Sequence, residues 1–410
     1  MKIAYLTIDD PANVNAWSGI NAHMAAALRQ QDTVELVNIG PLRTFRTLIS
    51  KLKACLLTVL SRKRYLWPRD PALLRAYARR AQRLLPPDCD LIFSPGTEPI
   101  SYLRTDKPIV FWTDAPFAAM LNYYPWYCGL SGAGRRDGMQ ADTLALRRAR
   151  LAIYSSAWAA DSAIHEHGGD PSKIRILPFG ANLESTLTDT ELETLILQRQ
   201  ARPWQLLLVG VDWMRKGADI ALEVVGELNR RHFPSTLIVA GCQPRNSIDA
   251  LSHYLKLEGF LDKQTKSGRL RLIELYRSAL FYFMPSRAEA SAIAYCEANA
   301  FGVPCLATDT GGVRSIIQDD VNGRCFAPDQ PISDFADFIL ATVSSGAYPA
   351  MCRNSLRLSR EKLNWHASVK SLVPMLHSII SSASYPSSTS NSGAEHRLMR
   401  NHARTPTKYC

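Results

Sequence analysis

Short apolar runs without polar alternation recur along this chain of 410 residues, and amphipathic segments separate them. The runs include IAYL, LIFS, IVFW and LAIYS in the first 155 residues, and LLLVG, TLIVAG, LFYFMP and PCLAT later. Strands that are apolar on both faces are covered on both sides, and strands that alternate with helices form right-handed βαβ units. The pattern therefore predicts an α/β protein with doubly wound parallel sheets, and the length suffices for two such domains.

A polar stretch divides the apolar runs into two groups. ESTLTDTELETLILQRQARP, at 184–203, follows the run IRILPFG and precedes WQLLLVG. We therefore expect a first domain over residues 1–183 and a second over 184–354. A last helix is expected at 361–380, packed back on the first domain. The Ser-rich, basic segment 381–410 has the composition of a disordered tail.

The composition limits the compartment and the partners. The chain is 46% hydrophobic and 21% charged, and it has no uncharged apolar run near the roughly 18 residues of a membrane-spanning helix. MKIAYLTIDD has the pattern of a first buried strand, and the nine cysteines form no C-x-x-C pair, so we expect a cytoplasmic protein. The net charge of +11 favours an anionic partner, which can be nucleotide phosphate, a membrane surface or nucleic acid. Nucleic acid is the least favoured, because the bases cluster with aliphatic rather than aromatic residues.

The segment 43–64 departs from the alternating pattern. Between Leu36 and Arg69 the chain has eight bases and no acid. Apolar residues recur there at helical spacing, namely Phe45, Leu48, Ile49, Leu52, Leu56, Val59 and Leu60. A basic amphipathic helix can lie on an anionic membrane surface, in a peripheral position, or close over a lipid-linked substrate. Alternatively, its apolar side faces the core and its basic side is solvated, which we expect for a stretch of this length inside a globular domain.

Two acids stand eight positions apart in PSRAEASAIAYCEANAFGVP. Glu289 follows the predicted strand LFYFMPS, and Glu297 falls inside the helix that comes next. Ligands of open parallel sheets bind at the carboxyl ends of the strands, and carboxylates there accept hydrogen bonds from hydroxyls such as those of a sugar and a ribose. The alternative is a helix with one acid near its N-terminus and one acid on its surface.

Two further loops are predicted at the same edge. PCLATD runs into Thr-Gly-Gly at 310–312, where a helix start would offer free N–H groups to an anion. In LLLVGVDWMRKGADIAL, Arg215 and Lys216 precede the next helix and can neutralise a diphosphate. Each loop by itself also fits an ordinary glycine turn or a pair of solvated cations. Three such loops on one edge predict a nucleotide-sugar pocket.

The segment PSRAEASAIAYCEANAFGVPCLATDTGGVRSIIQDDVNGRCF, preceded by SSAWAADSAIHEHGGDPSKIRILPFGAN and GVDWMRKGADIAL, resembles the retaining glycosyltransferases of family 4. The resemblance runs from residue 1 to about 378, and its Glu-x7-Glu segment is specific. It implies the GT-B fold, in which two Rossmann-like domains face each other across a cleft. The first domain would bind the acceptor and the second a UDP- or GDP-sugar, with no metal required.

The resemblance also implies roles for single residues. Glu289 would contact hydroxyls of the donor sugar, Glu297 the ribose, and Lys216 the phosphates. Gly19, in AWSGIN, matches a glycine loop that approaches the diphosphate, where a side chain would hold the phosphate away. The expected catalytic set is Glu289, Lys216, Arg215 and Asp114. The expected donor-binding set is Gly19, Glu297, Ser291, Ala292, Ile293, Thr310, Gly311 and Gly312.

The chain departs from the family pattern in three places. Val211 stands where members often have an arginine, and the neighbouring Arg215 can supply that charge. IVFWTDAPF places Asp114 where many members have a histidine. Asp114 would orient the acceptor hydroxyl or accept its proton, or else cap a helix that begins near Ala115. Ala290, Ser291 and Ala292 replace the commoner glycine and aromatic residues.

Two other groups of polar residues contain side-chain types that can bind metal ions. Asp88 and Asp90 have D-x-D spacing, yet they lead directly into the buried strand LIFS, so capping of that strand is the favoured interpretation. His23, His165 and His167 lie on predicted helices without ligand spacing and are expected to be ordinary helix residues.

The resemblance implies transfer with retention at the anomeric carbon, by front-face attack, in cell-surface polysaccharide or lipopolysaccharide synthesis. Arg215, Lys216 and helix N-terminal amides would stabilise the departing diphosphate. The alternatives are a GT-B epimerase and a non-catalytic nucleotide-sugar-binding or membrane-associated subunit of a polysaccharide assembly complex.

Overall fold

The computed structural model describes residues 1–14, 16–201, 203–244 and 252–383. These residues form two six-stranded sheets whose strand pairs are parallel. The α/β class predicted from the alternating apolar runs is confirmed. Parallel neighbouring strands need a crossover connection, and the helices between the strands supply it.

The first sheet has the order β2-β1-β3-β4-β5-β6 and the second β12-β11-β10-β7-β8-β9. The strands of the first are β1 (Lys2–Leu6), β2 (Glu35–Ile39), β3 (Leu91–Ser94), β4 (Ile109–Thr113), β5 (Leu151–Tyr154) and β6 (Ile174–Ile176). Those of the second are β7 (Trp204–Val209), β8 (Ser235–Ala240), β9 (Leu255–Gly259), β10 (Phe281–Met284), β11 (Cys305–Thr308) and β12 (Gly323–Phe326). In the second sheet the strand order reverses between β7 and β10, which are parallel neighbours, and such switch points are where ligands bind.

Helices cover both sheets. Those before the second sheet are α1 (Ile20–Arg29), α2 (Arg46–Ser61), α3 (Pro71–Leu84), α4 (Phe117–Met120), α5 (Gly132–Arg148), α6 (Ala157–His167) and α7 (Asp189–Gln200). The later ones are α8 (Ala218–Arg230), α9 (Lys266–Ser278), α10 (Ile293–Ala300), α11 (Ile332–Ser344), α12 (Tyr348–Glu361) and α13 (Trp365–Ala383). The central strands β3, β4, β10 and β11 are buried along their whole length, as apolar runs without alternation require.

The last helix returns to the first sheet. Trp365, Val369, Leu372 and Leu376 of α13 lie in one buried cluster with residues of α1 and of the first-sheet strands. The first domain therefore takes part of its core from the end of the described chain, and the chain passes between the two domains twice.

The two passages lie side by side. The Ala181 N–H donates to the Leu363 carbonyl at 3.0 Å, and Trp365 Nε1 donates to Asn182 Oδ1 at 2.8 Å. A Cβ on Gly180 would lie 2.1 Å from the Trp365 nitrogen, so the close approach requires a glycine at this position.

The helix α2 does not face the core, and the favoured expectation for the segment 43–64 is wrong. Apart from the partly buried Leu57, its large apolar side chains are exposed, and Ser50 and Ala54 are its buried residues. The small side chains allow the helix backbone to approach the domain closely, which leaves the wide apolar side towards solvent.

Among the described residues, no helix is both long enough and apolar enough to span a bilayer. Residues 381–383, which we expected in a disordered tail, continue α13 as helix. The rest of that expected tail, 384–410, lies outside the described residues.

Candidate functional site

Two loops of the second domain meet at the switch point of its sheet. The loop after β10 carries Glu289, and the loop after β7 carries Arg215 and Lys216. The Lys216 ammonium contacts Glu289 Oε2, and Arg215 Nη1 lies 3.5 Å from the same oxygen. The three side chains are largely buried, with 6–15% of each exposed. The structure therefore brings together the three charged residues that the sequence placed at one sheet edge.

The close fit of the two loops depends on Gly217. This glycine has a φ of +71°, and a Cβ on it would lie 2.0 Å from the Pro285 carbonyl oxygen. The Arg287 N–H donates to the Arg215 carbonyl at 2.8 Å and links the loops a second time. Gly217 is also the residue immediately before α8, so the backbone that carries Lys216 is fixed from both sides.

Burial and Glu289 act on Lys216 in opposite directions. Burial lowers the pKa of the Lys216 ammonium, and the charge of Glu289 partly offsets this change. Arg215 donates to the Ala288 carbonyl at 3.1 Å and lies over the Tyr124 ring at 5.1 Å. Asp212 Oδ2 lies 3.8 Å from Arg215 Nε, so the two cations face two carboxylates, of which Asp212 is the more exposed.

The Thr-Gly-Gly segment packs against the Glu289 loop. The Gly312 N–H donates to the Glu289 carbonyl at 3.0 Å. A Cβ on Gly311 would lie 2.1 Å from the same carbonyl oxygen, and one on Gly312 would lie 2.0 Å from the Ala290 carbonyl oxygen. The prediction of a helix after Thr310 is wrong, because a 3₁₀ turn over Val313–Ser315 follows instead. The glycines thus serve this close loop contact, and no helix dipole is present to attract an anion.

Glu297 is fully buried, so the alternative interpretation as a surface acid is wrong. It lies in the second turn of α10, and its carboxylate contacts the Lys263 ammonium and accepts a hydrogen bond from the Tyr276 hydroxyl at 3.0 Å. Lys263 is 37% exposed and covers the carboxylate from the solvent side. His23 of α1 interacts electrostatically with Glu297 and Lys263, which places the first domain opposite this part of the second, and burial lowers the pKa of His23.

The start of α10 also faces the first domain. Ile293 is buried in the cluster that contains residues of α1 and α13, whereas Ala292 is buried in the core cluster of the second domain. Ser291 is partly exposed between Glu289 and the helix. Of these three residues, which the sequence assigned to donor binding, Ile293 therefore lies where the two domains meet.

The loop that contains Gly19 is strained. Trp17, Ser18 and Gly19 have φ values of +47°, +56° and +84°, a conformation that non-glycine residues rarely adopt. Asn182 Nδ2 donates to the Ser18 carbonyl at 2.6 Å and holds the loop beside the passage between the domains. Such local strain is concentrated at functional sites.

Asp114 lies at the carboxyl end of β4 in the first domain. Its carboxylate accepts from Trp17 Nε1 at 3.2 Å and from the Ala115 N–H at 2.8 Å, and burial raises its pKa above the ordinary value. The interpretation of Asp114 as a helix cap is wrong, since α4 begins only at Phe117, whose N–H donates to Asp142 at 2.6 Å. A carboxyl group with a raised pKa suits proton transfer near neutral pH.

Two tyrosines of the first domain, which the sequence did not reveal, reach the Glu289 loop. The Glu289 N–H donates to the Tyr123 hydroxyl at 2.8 Å, and the Ala290 N–H donates to the Tyr124 hydroxyl at 2.9 Å. Tyr124 donates to Glu289 Oε1 at 3.3 Å, and the Tyr123 hydroxyl lies 2.8 Å from Thr310 Oγ1. Burial raises the pKa of both phenols, so they stay neutral. The aromatic run NYYPWY at 122–127 was the available signal.

The remaining candidates have structural partners. Lys2 donates from its backbone N–H to Asp90 at 2.6 Å and from its ammonium to Asp88 at 2.7 Å, so both acids hold the start of β1. His167 accepts from the Ala118 N–H at 3.2 Å and joins α6 to α4. The His165 ring lies 2.8 Å from the carbonyl of the preceding helical turn.

Comparison with known proteins identifies a family and several relatives that this chain resembles. Residues 192–357 match the family model described as Glycosyl transferases group 1. Among curated proteins, the D-inositol 3-phosphate glycosyltransferase of Xylanimonas cellulosilytica is 24% identical over 52% of this chain and 53% of its own length. The protein of the same description from Paenarthrobacter aurescens is 28% identical over 46% and 47%. The chain spans about half the length of the curated relatives it matches.

The solved structures show the same fold over nearly the whole chain. HepE from Anabaena in complex with UDP has a TM-score of 0.61 at 16% identity, covering 92% of this chain and 100% of that chain. Sucrose-phosphate synthase from Thermosynechococcus elongatus has a TM-score of 0.63 at 15% identity, covering 93% and 100%. The chain therefore has the GT-B fold, and residues 192–357 of its second domain are similar to the glycosyl transferases group 1 family.

Proposed function

We propose that the chain is a retaining family 4 glycosyltransferase that moves a sugar from a UDP- or GDP-sugar to a hydroxyl of a glycan or lipid-linked acceptor. The observation that carries this proposal is the convergence of Arg215 and Lys216 on Glu289 at the sheet switch point. Structures of HepE contain UDP and UDP-glucose, and a further similar structure is described as a lipopolysaccharide outer core galactosyltransferase. A cytoplasmic role in cell-surface polysaccharide or lipopolysaccharide synthesis, without a required metal, accords with these neighbours.

The charges of the site support a nucleotide diphosphate as the ligand. Arg215 and Lys216 face the carboxylates of Glu289 and Asp212, and the low exposure of the two cations strengthens their attraction for phosphate. In the proposed complex, Arg215 and Lys216 neutralise the departing diphosphate, while Glu289 accepts hydrogen bonds from sugar hydroxyls. Glu297 then accepts from the ribose, and Lys263 moves aside.

The same contacts favour front-face attack. A carboxylate that is paired with two cations is a weak nucleophile, so Glu289 is poorly suited to form a covalent sugar intermediate. The acceptor hydroxyl would instead enter on the face from which the diphosphate leaves, and its proton would pass to the leaving group or to Asp114. The raised pKa of Asp114 supports that second route.

The proposal is tested by Lys216→Ala and Glu289→Ala. We expect each variant to release nucleotide from the donor about 10² to 10³ times more slowly than the wild type, because one preorganised charge is lost. Lys266→Ala, which removes an exposed lysine at the start of α9, is the matched control and should keep wild-type turnover.

Turnover is measured as nucleotide release from UDP- and GDP-sugars, and donor binding as the rise in melting temperature with UDP, GDP and their sugars. Near-normal turnover by both variants would refute the site assignment. A rise in melting temperature without any nucleotide release by the wild type would instead indicate a non-catalytic nucleotide-sugar-binding subunit.

A further inference from the structure

The α2 face, defined as the exposed side chains on one side of this helix, is apolar. Its members are Phe45, Leu48, Ile49, Leu52, Leu56, Val59 and Leu60, between 43% and 74% exposed. At about 100° per residue they fall within an arc of about 120°. The centre of that arc lies opposite Ala54, one of the two buried residues of the helix. Contiguous exposed apolar surfaces of this kind mark interaction sites.

Cations border the α2 face on both sides. On the same helical projection, Lys51 lies beyond one edge of the apolar arc, and Arg46 and Lys53 lie beyond the other. Lys53 pairs with Asp70 at 2.7 Å and holds the helix on its domain. The flanking positions Arg43 and Lys63 are exposed, and the sequence from 36 to 69 contains no acid. An apolar strip with cations along both edges matches the acyl layer and the anionic headgroups of a bilayer.

An exposed tryptophan lies beside Arg64, three residues after the end of α2. Trp126 is 57% exposed, and the Arg64 guanidinium lies 4.6 Å from its ring. Arg64 also donates to the Pro125 carbonyl at 2.8 Å. Tryptophan is favoured at membrane interfaces, where its ring is buried and its N–H stays wet.

The same loop connects the surface to the candidate site. Trp126 is two residues from Tyr124 and three from Tyr123, whose hydroxyls contact the Glu289 loop. A membrane against the α2 face would therefore lie on the first-domain side of the cleft, the side assigned to the acceptor.

We infer that the α2 face docks on an anionic lipid bilayer and that the acceptor is presented from that bilayer as a lipid-linked saccharide. The second half of this statement rests on the proposed function, since it names the acceptor class of the same site. The first half depends only on the surface.

The docking is tested with the full chain and sedimented vesicles. We expect binding to vesicles of phosphatidylcholine with phosphatidylglycerol, weaker binding to phosphatidylcholine alone, and a loss of binding as salt rises. The double variant Leu52→Glu/Leu56→Glu places two charges at the centre of the arc and should bind about tenfold more weakly or less. Leu197→Glu, at a residue 73% exposed on α7, is the matched control and should bind like the wild type.

The inference is overturned if the wild type stays in solution with anionic vesicles or if the double variant binds them as well as the wild type does. It is also overturned if Leu197→Glu loses as much binding as the double variant. A dimer that sediments as such and is split by Leu52→Glu/Leu56→Glu, without vesicle binding, would assign the surface to a second copy and also contradict docking.

A separate measurement distinguishes this inference from the proposed function. The melting temperature with UDP reports on the donor site, and Leu52→Glu/Leu56→Glu should show the same increase as the wild type, which also shows that the variant folds. If no nucleotide raises the melting temperature of the wild type, the donor site fails while the vesicle result still decides the docking. If nucleotide binds and vesicles do not, the docking fails alone.

Discussion

At the scale of single residues, the candidate site is a cluster of paired charges. Arg215 and Lys216 share the Glu289 carboxylate, and each of the three side chains is largely removed from water. Because buried charges are stable only when they are compensated, the two cations depend on Glu289 and on the more exposed Asp212. A bound diphosphate would compensate the same two cations and would free Glu289 for other hydrogen bonds.

Asp114 gives the site a measurable pH dependence. Burial raises its pKa in the folded protein above the unfolded value of about 3.9. The folded state therefore binds the proton more tightly, and the stability contributed by this group is full below the unfolded pKa and falls as the pH rises through the folded pKa.

Asp114→Asn removes this titration. We expect the free energy of unfolding of Asp114→Asn, relative to the wild type, to increase between pH 4 and pH 7, since only the wild type must then bury a charged carboxylate. Urea denaturation at several pH values measures this difference. A relative stability that decreases with pH would show that the hydrogen bonds from Trp17 and Ala115 outweigh burial.

The sequence could predict part of the site and not the rest. Glu289 and Lys216 follow neighbouring parallel strands, whose carboxyl ends must meet, so their approach was predictable. Tyr123 reaches the site from a segment without a strand-end position, and Lys263 follows β9, a partly exposed strand that is not an apolar run. Their contacts depend on how one domain packs on the other and on loop paths, which local patterns do not determine.

At the scale of elements, the junction between the β7 and β10 loops should be sensitive to one methyl group. Gly217 and Gly346 both have a left-handed φ, +71° and +76°. At Gly217 the new Cβ would meet the Pro285 carbonyl at 2.0 Å, whereas at Gly346 no described heavy atom lies within 4 Å. Gly346→Ala therefore isolates the cost of the backbone conformation, about 1 to 2 kcal/mol.

We expect Gly217→Ala to lower the free energy of unfolding by roughly a further 1 to 3 kcal/mol, because the two loops must move apart. It should also weaken nucleotide binding, since Lys216 is the adjacent residue. Urea unfolding and melting temperatures with UDP provide the two measurements. Equal losses of stability in the two variants would contradict a tight loop junction.

The helix α2 shows where an element-scale prediction fails. Its periodicity predicted a helix and an apolar side, and both are present. The periodicity does not determine whether the apolar side contacts protein or lipid, because both environments exclude water. The inward-facing Ser50 and Ala54 decide the orientation, and they became informative only with the three-dimensional structure.

At the scale of the whole molecule, the first domain depends on the last helix. Residues of α13 complete the buried cluster that covers Ile3, Tyr5 and Trp112. We expect a fragment of residues 1–183 to aggregate or to melt without a sharp transition, because this face of its sheet would be exposed. Joining residues 361–383 to the fragment by a flexible linker should restore a cooperative transition in circular dichroism. A sharp transition of the fragment alone would contradict the dependence.

The alternating runs were sufficient to predict two parallel sheets, since burial on both faces leaves few other arrangements. They were insufficient to predict how the domains contact each other. That contact joins single residues distant in sequence, such as Tyr124 with Ala290 and Ala181 with Leu363, and no period in the sequence relates them.

The paired passages between the domains have a mechanical consequence. Because Ala181 is hydrogen-bonded to Leu363 and Gly180 abuts Trp365, the two connecting segments act as one narrow joint. Hinges between domains are built from a few such residues. A rotation of the domains at this joint would have to break the hydrogen bonds from the Glu289 loop to Tyr123 and Tyr124.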